Sequence, residues 1–170
     1  RYWEIPSHSP SAREGHFVEA PGHDFFSRAR EALGELPFIA EDLGIVTPEV
    51  ERLRDAFELP GMRVLAFAFA DGAQAYLPHR FNQRCVVYTG THDNDTMAGF
   101  LDAADRATQP HEREQLLRQR ERALAYSGSD GREPHWDLIR SALASVANTA
   151  IFPIQDVLGQ GTEARMNVPG

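Results

Sequence analysis

Four short apolar runs, Phe38–Ala40, Met62–Phe69, Cys85–Thr89 and Ala150–Ile154, are spread along the 170 residues with helix-forming stretches between them. This alternation constrains the fold more than any other feature. Short apolar runs bounded by turn residues read as strands covered on both faces. Strands separated by helices must run parallel, because parallel neighbours need crossover connections. The expectation is an α/β fold on a parallel sheet.

The intervening segments carry helix punctuation. Asp24 can cap a helix running to Leu33, with Phe25, Phe26, Ala29, Ala32 and Leu33 as its stripe and Gly34 as its stop. Thr47-Pro48 forms an N-cap and first-turn pair, Glu49 and Glu51 suit a positive helix start, and Val50, Leu53 and Phe57 recur at helical spacing until Pro60-Gly61. Further helices are expected within His111–Ala125 and from Pro134 to about Val146, the latter with Trp136, Ile139 and Leu143 on one face. Ser127-Gly-Ser-Asp-Gly131 reads as a loop, and no repeat divides the chain, so a single domain is expected.

Each apolar run hands over to acidic residues: Glu41 and Asp42, Asp71, His92 with Asp93, and Asp156. In a parallel sheet or barrel all strand ends share one side, and catalytic groups collect at that C-terminal face. A lone Asp or Glu there is ordinarily a helix cap or turn starter. Four in register call for more. Separated carboxylates converging on a pocket suit glycosyl transfer, in which one acts as acid toward the bridging oxygen and another faces the anomeric carbon as an anion.

Other classes recede. The net charge of −8 disfavours a phosphate-backbone binder, so no nucleic acid is expected as partner. The longest apolar run, Val64–Ala70, is far short of the roughly 18 residues of a membrane span, and no membrane partner is expected. One cysteine, Cys85, allows neither an internal disulfide nor a thiolate zinc site and fits a reducing, cytoplasmic setting. His92-Asp93-Asn94-Asp95 holds metal-type ligands, but no second histidine stands three or four residues from His92, and no metal is expected. Tyr2, Trp3, Phe67, Phe69 and Tyr76 could stack on sugar faces or simply fill a core.

Ile39-Ala-Glu-Asp-Leu-Gly44, Leu59-Pro-Gly-Met62, Leu77-Pro-His79, Tyr88-Thr-Gly-Thr-His-Asp-Asn-Asp-Thr96 and Glu163-Ala-Arg-Met-Asn167 together resemble the amylomaltase family of 4-α-glucanotransferases, or disproportionating enzymes. The likeness runs from about Tyr2 to Gly170 and is thinnest between Leu101 and Arg132. It implies a catalytic (β/α)₈ TIM barrel that moves α-1,4-glucan segments between malto-oligosaccharides by a retaining double displacement, with no cofactor. Glu41 matches the family's general acid/base. Asp93 matches the carboxylate that binds sugar hydroxyls and stabilises the oxocarbenium-like transition state, and His92 the neighbouring donor to the same sugar. Trp3, Phe67, Asp71 and Asn167 fall near positions lining sugar subsites.

One departure stands out. The family's nucleophile is an aspartate in an Arg-Ile-Asp-His segment ending the fourth barrel strand, upstream of the Tyr-Trp pair represented here by Tyr2-Trp3, and nothing in this sequence matches it. Asp24, in Gly22-His-Asp24, lacks the surrounding motif. The resemblance therefore implies the second half of the barrel, about strands five to eight with their helices, inactive alone and partnered by the remainder of the same barrel. Amylose or glycogen-derived glucans would be further substrates. Three other readings stay open: a retaining α-glucan hydrolase, which shares the covalent intermediate, a non-catalytic glucan-binding fragment, and, in third place, a metal-dependent hydrolase built on His92 and Asp93.

Overall fold

The computed structural model describes residues 2–44 and 46–168. In chain order the elements are β1 (Tyr2–Glu4), β2 (His16–Val18), α1 (Gly22–Leu33), α2 (Pro48–Ala56), β3 (Gly61–Val64), β4 (Cys85–Tyr88), α3 (Met97–Leu101), α4 (Ala103–Arg106), α5 (Pro110–Ser127), α6 (Pro134–Leu143), β5 (Thr149–Ile151) and α7 (Ile154–Val157). They group into two compact units, one from within residues 1–38 and 45–59, the other from within 39–44 and 60–170. A single domain was expected from the sequence.

The first unit pairs β1 and β2 antiparallel, Trp3 opposite Phe17, and sets Gly22 of α1 against the Leu53 side chain of α2. Pro48 stands in the first turn of α2, where its missing N–H has no helical partner to lose. Gly34 stops α1 at φ 79°, its amide donating to Arg30. The stripe of α1 is narrower than the periodicity predicts. Phe26 packs on Phe38 and Phe57, whereas Phe25 and Leu33 stay exposed.

The second unit is built on a parallel sheet in the order β3-β4-β5. Val86 and Val87 of β4 are buried, as a central strand of a covered sheet requires. The outermost expected strand, Phe38–Ala40, shrinks to one parallel bridge between Ala40 and Gly61. The Ala40 amide donates to the Pro60 carbonyl at 2.8 Å, but Pro60 has no amide to extend the ladder backwards, and the Asp42 amide turns back to the Ala40 carbonyl at 3.0 Å, which ends it forwards.

Two other strands end sooner than expected. Met62–Phe69 turns into a 3₁₀ segment at Leu65–Phe67, where alternating alanines give little β preference and Ala68 N donates to Leu65 O. The run from Ala150 breaks at Pro153, which caps α7, so Asp156 is helical rather than at a strand end. The β3–β4 crossover holds only 3₁₀ turns; that from β4 to β5 contains α3 to α6.

The core of this unit unites Leu65 and Phe69 after β3, Val87 of β4, Met97 and Leu101 of α3, Ala123 of α5, and Leu138 and Ala142 of α6. Full burial of each large side chain contributes about 1.5–3 kcal/mol. Helix α6 ends at Leu143, sooner than predicted, and presents Leu138, Ile139 and Ala142 inward, leaving Leu143 exposed.

Candidate active site

A cavity of about 520 Å³ opens at the C-terminal ends of the parallel strands, wholly within the second unit. Its walls come from the segment after Ala40 (Glu41, Leu43), from Met62 and Phe67, from the end of β4 and its loop (Tyr88, Gly90–Asn94), from Ile151–Pro153, and from Met166. Its volume and mixed apolar and polar lining are those of a small-ligand site.

Glu41 and Asp42 part company here. Glu41 is exposed on the cavity, while Asp42 turns inward and accepts the Met62 amide at 2.6 Å and the Arg63 guanidinium at 3.3 Å. The inward residue fastens the segment that carries the outward one. Gly61 makes room for it, since a Cβ there would lie 2.8 Å from the Asp42 carboxyl carbon.

Across the cavity, the loop after β4 is stiffened from within. Asn94 Oδ1 accepts from both the amide and the hydroxyl of Thr91, at 2.8 and 2.9 Å. His92 Nε2 lies 3.4 Å from Asp93 Oδ2. From the C-terminal segment, Asn167 Nδ2 donates to Asp93 Oδ1 at 2.6 Å, Arg165 donates to the Asp93 carbonyl at 3.1 Å, and Thr162 donates to Asp95 at 2.9 Å. Asp95 also receives Arg106 at 2.8 Å. The loop presents Asp93 with one oxygen held by Asn167.

Of the site residues read from the sequence, Glu41, Phe67, His92 and Asp93 line this cavity, and Asn167 reaches it through Asp93. Phe67 is held edge-on against Tyr76, ring centroids 5.5 Å apart. Asp71 is elsewhere, paired with Arg122 at 2.7 Å on a separate cavity that includes Tyr126. Trp3 belongs to the first unit, its indole N–H donating to Ala12 O at 2.8 Å and its ring against Phe17.

The expectation that all four acidic strand ends emerge together is thus corrected. Asp42 and Asp156 are consumed by interior hydrogen bonds, and Asp71 lies beyond the 3₁₀ turn that cuts β3 short. Sequence reading also missed Arg165 as a contact of the loop, although it stands within the Glu163–Asn167 motif. Among the described residues no three His, Cys, Asp or Glu side chains converge as metal ligands. No helix among them is long and apolar enough to cross a membrane.

The sequence model of the 4-alpha-glucanotransferase family matches residues 1–170. The chain belongs to this family. Among curated 4-alpha-glucanotransferases, that of Thermus thermophilus is 50% identical over 175 residues, covering 99% of this chain and 33% of the relative. That of Synechocystis is 46% identical over 173 residues, covering 99% and 32%. The solved amylomaltase from Streptococcus agalactiae in complex with acarbose superposes with a TM-score of 0.83 at 33% identity, covering 99% of this chain and 32% of that one. The chain therefore spans about a third of the length of these 4-alpha-glucanotransferases.

Proposed function

We propose that this chain carries the acid/base half of a 4-α-glucanotransferase site. The whole enzyme, of which this chain is a part, transfers α-1,4-glucan segments between malto-oligosaccharides by a retaining double displacement. The observation that carries the reading is the meeting of Glu41 and Asp93, from segments far apart in sequence, on one cavity whose apolar walls suit a sugar face. Family membership and the acarbose complex of the structural neighbour support the substrate class.

The chain is read as the second half of a (β/α)₈ barrel, about strands five to eight, and the nucleophilic aspartate as a residue of the preceding half. In the first displacement that carboxylate attacks the anomeric carbon, the glycosidic bond breaks, and Glu41 gives its proton to the departing oxygen. In the second, Glu41 takes the proton of an acceptor sugar hydroxyl, whose oxygen displaces the nucleophile. Asp93, oriented by Asn167, bonds hydroxyls of the reacting sugar, and those bonds strengthen as the ring flattens. His92 donates to the same sugar, and Phe67 packs against an adjacent one. Trp3 and Asp71 are assigned, by resemblance, to outer sugar subsites. A cytoplasmic location belongs to the same reading, supported by the one buried thiol, Cys85.

The test is made in the full-length enzyme with two donors. Glu41→Gln should lower turnover of maltotriose about 10²–10⁴-fold and be partly rescued on a glycosyl fluoride, whose leaving group needs no proton. Asp93→Asn should be impaired on both. Equal damage to the two variants on the fluoride would show the roles to be wrongly assigned. Maltotriose should yield a ladder of longer and shorter glucans, and mainly short sugars would instead favour a hydrolase.

A further inference from the structure

Asp156 is 1% exposed and lines no part of the cavity that holds Glu41 and Asp93, yet it holds together the two ends of the loop that does. Thr89, at the end of β4, donates its hydroxyl to Oδ2. Met97, the first residue of α3, donates its backbone N–H to Oδ1 at 2.7 Å. Between these anchor points lies Gly90–Thr96, the segment carrying His92 and Asp93.

We propose that Asp156 is a positioning residue, gripping both ends of the Gly90–Thr96 loop from beneath and thereby setting where Asp93 meets the sugar. The proposal rests on the role assigned to Asp93 above. A buried carboxylate is an expensive way to fill space, because removing it from water costs free energy that an apolar side chain would not lose. What it offers is two acceptor oxygens on one short stem, each taken by a donor from an opposite end of the loop. The loop is internally rigid through Thr91 and Asn94, so a shift at its ends moves Asp93 as part of a body. Misplacing a reacting group by about 1 Å can cost on the order of 10²-fold in rate. The Asp93 and His92 side chains are 52% and 70% exposed, so packing around them does little to hold them in place.

The experiment compares Asp156→Ala, Asp156→Asn and Thr89→Val in the full-length enzyme, assayed on saturating maltotriose well below each variant's Tm. Asp156→Ala should lower kcat at least tenfold with a smaller change in KM. Thr89→Val, which removes one of the two anchors at nearly constant shape, should lower it several-fold. Asp156→Asn keeps an oxygen for the Met97 amide and places an NH₂ against the Thr89 oxygen, and should recover most of the activity. Hydrogen exchange should quicken within Gly90–Thr96.

A purely structural Asp156 would lower Tm and leave kcat per folded molecule unchanged. A folded Asp156→Ala with kcat within twofold of wild type overturns the proposal. Should that variant fail to fold, Thr89→Val decides by the same criterion. Failure of the underlying reading has its own signature: Asp93→Asn with wild-type turnover removes Asp93 from the site, and the positioning role with it.

Discussion

Asp42→Ala is expected to loosen the segment that carries Glu41 from the sheet beside it. The Asp42 side chain is 4% exposed and bonds the Met62 amide at 2.6 Å and the Arg63 guanidinium at 3.3 Å. Leaving a part-buried amide unpaired costs about 1–2 kcal/mol. Breaking a fully buried ion pair costs about 3–5 kcal/mol, but Arg63 is 21% exposed and keeps its 2.6 Å bond to the Met62 carbonyl, so about 1 kcal/mol is a fairer share. The sum, about 2–3 kcal/mol, corresponds to roughly 30- to 150-fold in an opening equilibrium, at about 1.4 kcal/mol per tenfold. Hydrogen exchange in the full-length enzyme should therefore quicken by that factor at β3 and at Ala40–Asp42, where opening is local. Turnover of maltotriose should fall about tenfold or more, because Glu41 loses its anchorage. Asp42→Asn, which keeps one oxygen for the Met62 amide, should fall between. Exchange within threefold of wild type, with normal turnover, would refute the idea that Asp42 holds Glu41 in place.

Burial pushes the Asp156 carboxyl above its ordinary range, opposed by Thr89, the Met97 amide and His135 and reinforced by Asp95. A raised folded value means this contribution to stability is complete below the unfolded value of about 3.9 and is lost as pH rises through the folded one. The stability of Asp156→Asn relative to wild type should therefore improve as pH rises above about 4; denaturant titrations showing a constant difference would contradict this. Gly99→Ala would place a Cβ 2.5 Å from Thr162 Oγ1 and against Asp95, forcing apart the bond between them. Overpacking of this kind costs about 1–3 kcal/mol, and Tm should drop while KM for maltotriose rises as the Arg165–Asn167 segment loosens; a variant matching wild type in both would show that the contact relaxes freely. The 170-residue chain alone should not disproportionate maltotriose, and mixing it with the preceding half should restore activity, since the nucleophile and the missing strands lie there by the proposed reading; product ladders from the isolated chain would overturn that.

Local signals were legible in the sequence because their physics is local. Proline at the first turns of α2 and α6 and glycine after α1 act on backbone groups within one helical turn, and those boundaries follow them closely. The run Cys85–Thr89 reads as a covered strand, which the structure realises over Cys85–Tyr88, because its own side chains require burial on both faces. The motifs also bring Glu41, His92 and Asp93 to one cavity, since strand ends in a parallel sheet share a side. What each carboxylate does once there was decided by tertiary structure alone. Asp42 turns inward because the Met62 amide waits for it, Asp156 because Thr89 and Met97 do, and Asp71 pairs with Arg122 on another cavity. In every case the partner comes from a different segment of the chain, and an acidic side chain goes where distant donors offset the loss of its hydration, which no local pattern records.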